Sequence, residues 1–268
     1  MLSNLFKKIP ALCTLLILSV TLSAQATIVE VRTVAGNFQI NLFDEATPEN
    51  VQNLLSYINA GAYENNVVHR TVPGFIVQMG GFEYANAFPP EAISTGVGVL
   101  NEPEFSNLRG TVAMAKLAND QNSATSQFFI NLADNSANLD VQNGGFTVLG
   151  QVIGDGMAVV DVIAGITRFN FGGAFTDLPL RNYTSADGTN GVVPNDDNLV
   201  IIDDVVVIDT AVVTNPELNP TPNTLINPSA PESGAGMIVD NNNGGSGGAF
   251  GLWGLLALGL MVWRRSNN

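Results

Sequence analysis

The chain has 268 residues, a formal net charge of −14, one histidine and one cysteine. So acidic a surface repels phosphate, which excludes a nucleic-acid partner. One thiol, and that one in the N-terminal leader, excludes disulfides, thiolate catalysis and cysteine-based metal sites.

The first 26 residues read as a signal peptide. Lys7 and Lys8 precede an apolar run over 11–22, and Ala24-Gln25-Ala26 supplies the small residues of a cleavage site. The run is shorter than the roughly 20 residues of a membrane span, and Cys13 lies inside it. Residues 27–209 then form one domain with length enough for a core. Six Lys and Arg face twenty-one Asp and Glu within it.

The residues 28–33 and the alternating Phe38-Gln39-Ile40-Asn41-Leu42, joined by Val34-Ala35-Gly36, predict an opening hairpin. A helix is expected next. Thr47 is its cap and Pro48 its first residue, Val51, Leu54, Leu55 and Ile58 form its apolar stripe, and Gly61 closes it. Further strands are expected at 67–70, 75–78, 111–115, 127–131, 146–152 and 199–208, with a shorter helix over 156–164 stopped by Gly165. That count predicts an all-β domain, a closed eight-stranded antiparallel barrel capped by two α-helices, a form without free sheet edges. The stretch 166–198 is glycine-rich, and its purpose is not legible.

Residues 210–248 hold five prolines, seven asparagines and six glycines, and read as a disordered linker. Its reach is roughly 35 Å if flexible. The last segment, 249–268, begins with fifteen uncharged residues that include Trp253 and Trp263 and ends near Arg264-Arg265. As a helix the uncharged run covers roughly 22 Å, marginal against a hydrocarbon core of ~30 Å. The arginines place its end in the cytoplasm and the body outside. Two readings stand: an inner-membrane anchor, or a sorting segment removed after export.

The chemistry sits in two short runs, Val68-His69-Arg70-Thr71-Val72-Pro73-Gly74-Phe75-Ile76-Val77-Gln78 and Ser126-Gln127-Phe128-Phe129-Ile130-Asn131. Each is an apolar strand with polar groups that a strand does not need. By themselves they read blandly: Arg70 as a rim salt-bridge residue, and Phe75, Phe129, Leu139 and Phe146 as core. Together they resemble the signature strands of the cyclophilins, β-barrel peptidyl-prolyl cis/trans isomerases. Rotation about an X–Pro bond is slowed by amide resonance, with a barrier near ~20 kcal/mol, and needs neither nucleophile nor base. A donor aimed at the prolyl nitrogen weakens the double-bond character, and an apolar socket grips the ring. The rigid, permanently charged fork of arginine suits the donor role.

The resemblance implies that Arg70 is that donor, with Phe75 and Gln78 completing the catalytic set. It assigns substrate binding to Ile76, Ala115, Lys116, Gln127, Phe129, Leu139 and Phe146, with Lys116 in the stretch whose backbone holds the peptide. Asn101-Glu102 and the runs 109–115 and 124–131 are most similar to the periplasmic bacterial branch. Val68, Met79 and Asn138 depart from the family pattern. An aromatic residue usually stands at the place of Asn138, so weak cyclosporin inhibition is expected. The tail resembles the glycine-glycine sorting signal of some Gram-negative bacteria.

No cofactor or metal is expected. A hydrolase triad or a zinc site would have to rest on His69 alone, which the resemblance makes structural. Asp196-Asp197 and Asp203-Asp204 lack the loop spacing of an EF-hand and read as solvated. The implied partners are proline-containing unfolded or extended polypeptides, met by an exported monomer. The alternative is a non-catalytic proline-peptide binding or chaperone module of the cell envelope that uses the same groove.

Overall fold

The computed structural model describes residues 27–211, 215 and 217–226. The leader read over 1–26 and the segment 249–268 lie outside the described residues, as does most of the linker. Among the described residues no helix is long and apolar enough to cross a membrane.

The chain opens with the expected hairpin, β1 (Ile28–Thr33) and β2 (Phe38–Leu42). Gly36 makes the turn at φ 125°, its N–H donating to the Thr33 carbonyl at 3.0 Å. Helix α1 (Pro48–Asn59) buries Val51, Leu54, Tyr57 and Ile58 and ends two residues before Gly61, which has φ 68°. Its N-terminus differs from the sequence expectation. The Thr47 hydroxyl donates backward to the Phe43 carbonyl, and Glu102 caps the helix instead, accepting from the N–H groups of Glu49 and Asn50 at 3.2 and 3.0 Å. A carboxylate at a helix N-terminus satisfies the free donors and suits the helix dipole.

The remaining elements follow in order: β3 (Asn66–Val67), β4 (Arg70–Val72), β5 (Ile76–Met79), β6 (Phe82–Glu83), β7 (Glu91–Ala92), β8 (Thr111–Met114), β9 (Phe128–Asn131), α2 (Ser136–Leu139), β10 (Val148–Ile153), α3 (Gly156–Ala164), β11 (Arg168–Phe169), β12 (Leu178–Pro179), α4 (Ser185–Thr189) and β13 (Ile201–Asp209). One curled antiparallel sheet runs β4-β5-β9-β8-β10-β2-β1-β13-β3-β6-β7, and β11 pairs with β12 apart from it. The hydrogen-bond ladder does not draw the closed eight-stranded barrel expected from the sequence. The run expected as one strand over 67–70 is split at Val68 and His69. Its first part stays on β13 while Arg70 to Val72 pair with β5. Two short helices, α2 and α4, join the two expected ones.

The main core lies between this sheet and the helices α1 and α3, with Val31, Phe38, Leu54, Met79, Phe128 and Leu149 among its members. The stretch 166–198 builds a second cluster in which Phe175, Leu178, Leu180 and Tyr183 pack on Val67 and Phe82. Part of the run read as linker also lies on the domain: Pro222 forms an antiparallel bridge with Phe105. Composition registers few apolar side chains there and is blind to backbone pairing.

Candidate functional site

Strand alternation builds the site. Val77 and Met79 on β5, and Phe128 and Ile130 on β9, face the main core, so Ile76, Gln78 and Phe129 face the other way. Pairing sets Arg70 opposite Gln78 and Gln78 opposite Phe129, while Ala113 on β8 faces Phe129 from the far side. The turn from β4 into β5 is closed by Phe75 N–H donating to the Val72 carbonyl at 3.0 Å, with Gly74 at φ 65°. That turn swings Phe75 up beside Ile76.

The result is a shallow hollow, open to solvent and lined by Phe75, Ile76, Gln78, Ala115, Phe129, Leu139 and Phe146. All seven were expected at the site from the sequence, and they come from four separate stretches. Phe129 and Phe146 meet edge to face at 5.8 Å. Gln78 brings polarity to this apolar lining. Its Nε2 donates to Gln127 Oε1 at 2.9 Å, and its Oε1 accepts from Arg70 Nη1 at 3.5 Å. Arg70, Gln78 and Gln127 thus form a polar row along the edge of the hollow.

Arg70 is half-buried, and its Nε lies 3.7 Å from Asp177 Oδ2. Burial pulls the guanidinium below its ordinary pKa, and Asp177 pulls it back. Arginine titrates so high that it stays charged at neutral pH. Asp177 was not foreseen as a site residue.

Lys116 is buried, and its amine turns away from the hollow. Nζ donates to Asn101 Oδ1 at 3.2 Å and to the carbonyls of Asn143 (2.8 Å) and Gly145, and it stands 4.7 Å over the Phe146 ring. Burial pushes its pKa down to about 8, with Asp120 opposing. The side chain therefore secures the turn before Phe146 and does not line the hollow.

A second feature that the sequence did not disclose lies beneath the hollow. Asn107, Asn131, Asn135 and Asp140 form a buried network. Asn107 donates to Asp140 Oδ1 and to the Phe146 carbonyl, Asn131 to Asn107 Oδ1 and Thr111 Oγ1, and Asn135 to Asn131 Oδ1 and the Phe75 carbonyl. The network ties together the backbone behind two lining aromatics, Phe75 and Phe146. The signal available was an asparagine ending an apolar strand at Asn131, since a buried amide requires partners.

His69 points into the second cluster and meets Phe82 edge to face at 4.9 Å. Neither ring nitrogen makes a well-formed hydrogen bond, although the Val67 carbonyl and the Gln127 side chain lie close enough to act on the ring. Burial lowers its pKa to about 3, with the neighbouring Arg70 acting in the same direction.

Residues 28–182 match the family model described as cyclophilin type peptidyl-prolyl cis-trans isomerase/CLD. The chain is 41% identical over 151 residues to peptidyl-prolyl cis-trans isomerase A of Dickeya dadantii, covering 55% of this chain and 76% of that one. It is 40% identical over 149 residues to a peptidyl-prolyl cis-trans isomerase of Acinetobacter baylyi, covering 54% and 76%. Among solved structures, a cyclophilin-type isomerase of Cryptosporidium parvum aligns with a TM-score of 0.49 at 20% identity, over 69% of this chain and 98% of that one.

Proposed function

The chain belongs to the cyclophilin-type peptidyl-prolyl cis-trans isomerase family, and from that premise we propose that it isomerises X–Pro bonds in exported polypeptides, with Arg70 as donor to the prolyl nitrogen. The observation that carries this reading is the apolar hollow lined by seven residues from four stretches, with Arg70, Gln78 and Gln127 along its edge.

The proline ring enters the hollow between Phe75, Phe129, Leu139 and Phe146, where water is displaced and each charge–dipole contact strengthens. Asp177 holds the Nε side of the guanidinium and Gln78 meets Nη1. At 3.5 Å that second contact is long for a hydrogen bond, so Nη1 exchanges it readily for the prolyl nitrogen. As the amide twists, the nitrogen turns pyramidal and its lone pair accepts from Arg70. This interaction exists only in the twisted state and so lowers the barrier rather than merely adding affinity. Gln78 and Gln127 hold the carbonyl of the peptide, and the backbone of Ala115 and Lys116 holds its extended flank. On the same reading β3 and β4 are halves of one strand whose covalent join closes a barrel of eight with β5, β9, β8, β10, β2, β1 and β13.

Isomerisation of an Ala-Ala-Pro-Phe peptide by wild type and by Arg70→Ala tests the proposal. A measurable rate that falls more than tenfold is expected, since one transition-state donor contributes about 2.7–4 kcal/mol. Equal, negligible rates would leave the non-catalytic proline-peptide binder. Export rests on the leader motif. Mass spectrometry of the mature protein checks it: a start at Thr27 supports export, and a retained Met1 refutes it. An end between Gly244 and Gly248 means release, and an intact Asn268 means an anchor.

A further inference from the structure

One wall of the hollow is a loop rather than a strand. Leu139 and Phe146 both line the hollow and stand at the two ends of this loop, whose neck is closed by Phe146 N–H donating to the Leu139 carbonyl at 2.8 Å. The residues between them supply little core. Val141 is exposed, and Asn143, Gly144 and Gly145 all hold positive φ. A segment with so few buried contacts opens easily unless it is held from outside.

Within the domain, Asn107 donates to Asp140 Oδ1, Asn101 to the Gly144 and Gly145 carbonyls, Lys116 to those of Asn143 and Gly145, and Asn143 Nδ2 to the Leu117 carbonyl. A further hold comes from residues 221–226, beyond the last strand. Ser106 N–H donates to the Thr221 carbonyl, and Asn223 N–H to the Glu104 carbonyl, both at 2.8 Å, on either side of the Phe105–Pro222 bridge. The Asn223 side chain reaches over to donate Nδ2 to the Asp140 carbonyl at 3.0 Å. Ile226 packs so closely on Gly145 that a Cβ there would lie 2.6 Å from Ile226 Cδ1. Phe105, clasped by the same segment, belongs to the apolar cluster of Leu139 and Phe146.

We propose that residues 221–226 are a strap built into the peptide site, holding the wall that carries Leu139 and Phe146, with Asn223 as its positioning residue. This rests on the isomerase reading, but only for which ligand the wall grips. None of the hydrogen bonds of the strap fall on the Arg70–Gln78–Gln127 row, and the main core includes no residue of it. Its loss therefore weakens the grip on the proline ring and leaves the chemical step alone. A merely structural role would do the reverse, lowering the active fraction, and hence kcat, at constant KM.

The test uses the full chain with Asn223→Asp, which keeps the shape and removes the Nδ2 donor, and independently Ile226→Ser, which loosens the strap on Gly145. Both the Kd for an Ala-Ala-Pro-Phe peptide and the kinetics are measured. The expected result is a Kd and a KM raised roughly three- to tenfold in each variant, with kcat within about twofold of wild type. An unchanged Kd in either folded variant overturns the strap, and so does a fall in kcat at constant KM. A wild type that binds the peptide without isomerising it refutes the function proposed above, while the Kd comparison still decides the strap. A wild type that does neither sinks both.

Discussion

Arg70 Nε stands 3.7 Å from Asp177 Oδ2, so the stretch 166–198, whose purpose is illegible in the sequence, ends up delivering a carboxylate to the rim of the hollow. Its placement has a simple cause. Phe175 and Leu178 flank Asp177 and bury against Val67 and Phe82. The Thr71 N–H then fixes the Asp177 carbonyl at 3.0 Å, at the residue next to Arg70. Asp177 is 38% exposed, and such a pair adds little to stability. What it can do is hold one edge of the fork so that Nη1 stays turned toward Gln78.

Asp177→Asn is accordingly expected to lower kcat for a prolyl peptide by roughly three- to tenfold, as small misplacements of a catalytic group do. KM should stay within about twofold and the urea midpoint nearly unchanged. An unaltered kcat would mean that Gln78 alone orients the arginine.

Gly81 offers a second way into the same row. A Cβ there would lie 2.6 Å from Gln127 Cδ and 2.7 Å from its Nε2. The obstacle is the far end of a flexible side chain, so Gly81→Ala moves Gln127 rather than the backbone. The 2.9 Å bond from Gln78 to Gln127 then breaks, and Gln78 is free to turn. The expectation is a roughly tenfold lower kcat/KM with stability changed by less than about 1 kcal/mol. Activity equal to wild type would show that Gln127 takes no part in holding the substrate carbonyl.

How much of this the sequence discloses depends on the range of the contacts. The hairpin of β1 and β2 and helix α3 announce themselves, because alternation, a 3.6 period and glycine punctuation are local. The cap on α1 is only half legible. Thr47 is a capping type, yet the oxygens that meet the helix belong to Glu102, fifty-three residues beyond Glu49. The break at Val68 and His69 is invisible because both are buried, as strand residues would be. Phe75, Phe129, Leu139 and Phe146 pack in an apolar cluster of their own. Nothing in their spacing separates that cluster from ordinary core, and only the resemblance marked them as a socket. Asp177 and Asn223 arrive from distant segments through backbone bonds, which leave no pattern in composition or period.

The lone histidine gives the last expectation, on stability rather than activity. His69 is buried with a pKa of about 3, because burial opposes its charge by more than the Val67 carbonyl supports it, with Arg70 adding to burial and Gln127 opposing it least. Unfolded, it titrates near its ordinary 6.5. Below that pH the unfolded chain takes up a proton that the native state refuses, so the contribution is complete above pH 6.5 and is lost on the way down to about pH 3. The limiting slope is about 1.4 kcal/mol per pH unit. From pH 7 to pH 5, where most carboxylates have yet to titrate, wild type should lose about 2 kcal/mol of unfolding free energy in urea. His69→Phe, which keeps an aromatic ring against Phe82, should be nearly flat over that interval. A flat wild-type curve would mean that the native state protonates His69 after all, with Gln127 and the Val67 carbonyl as the acceptors within reach.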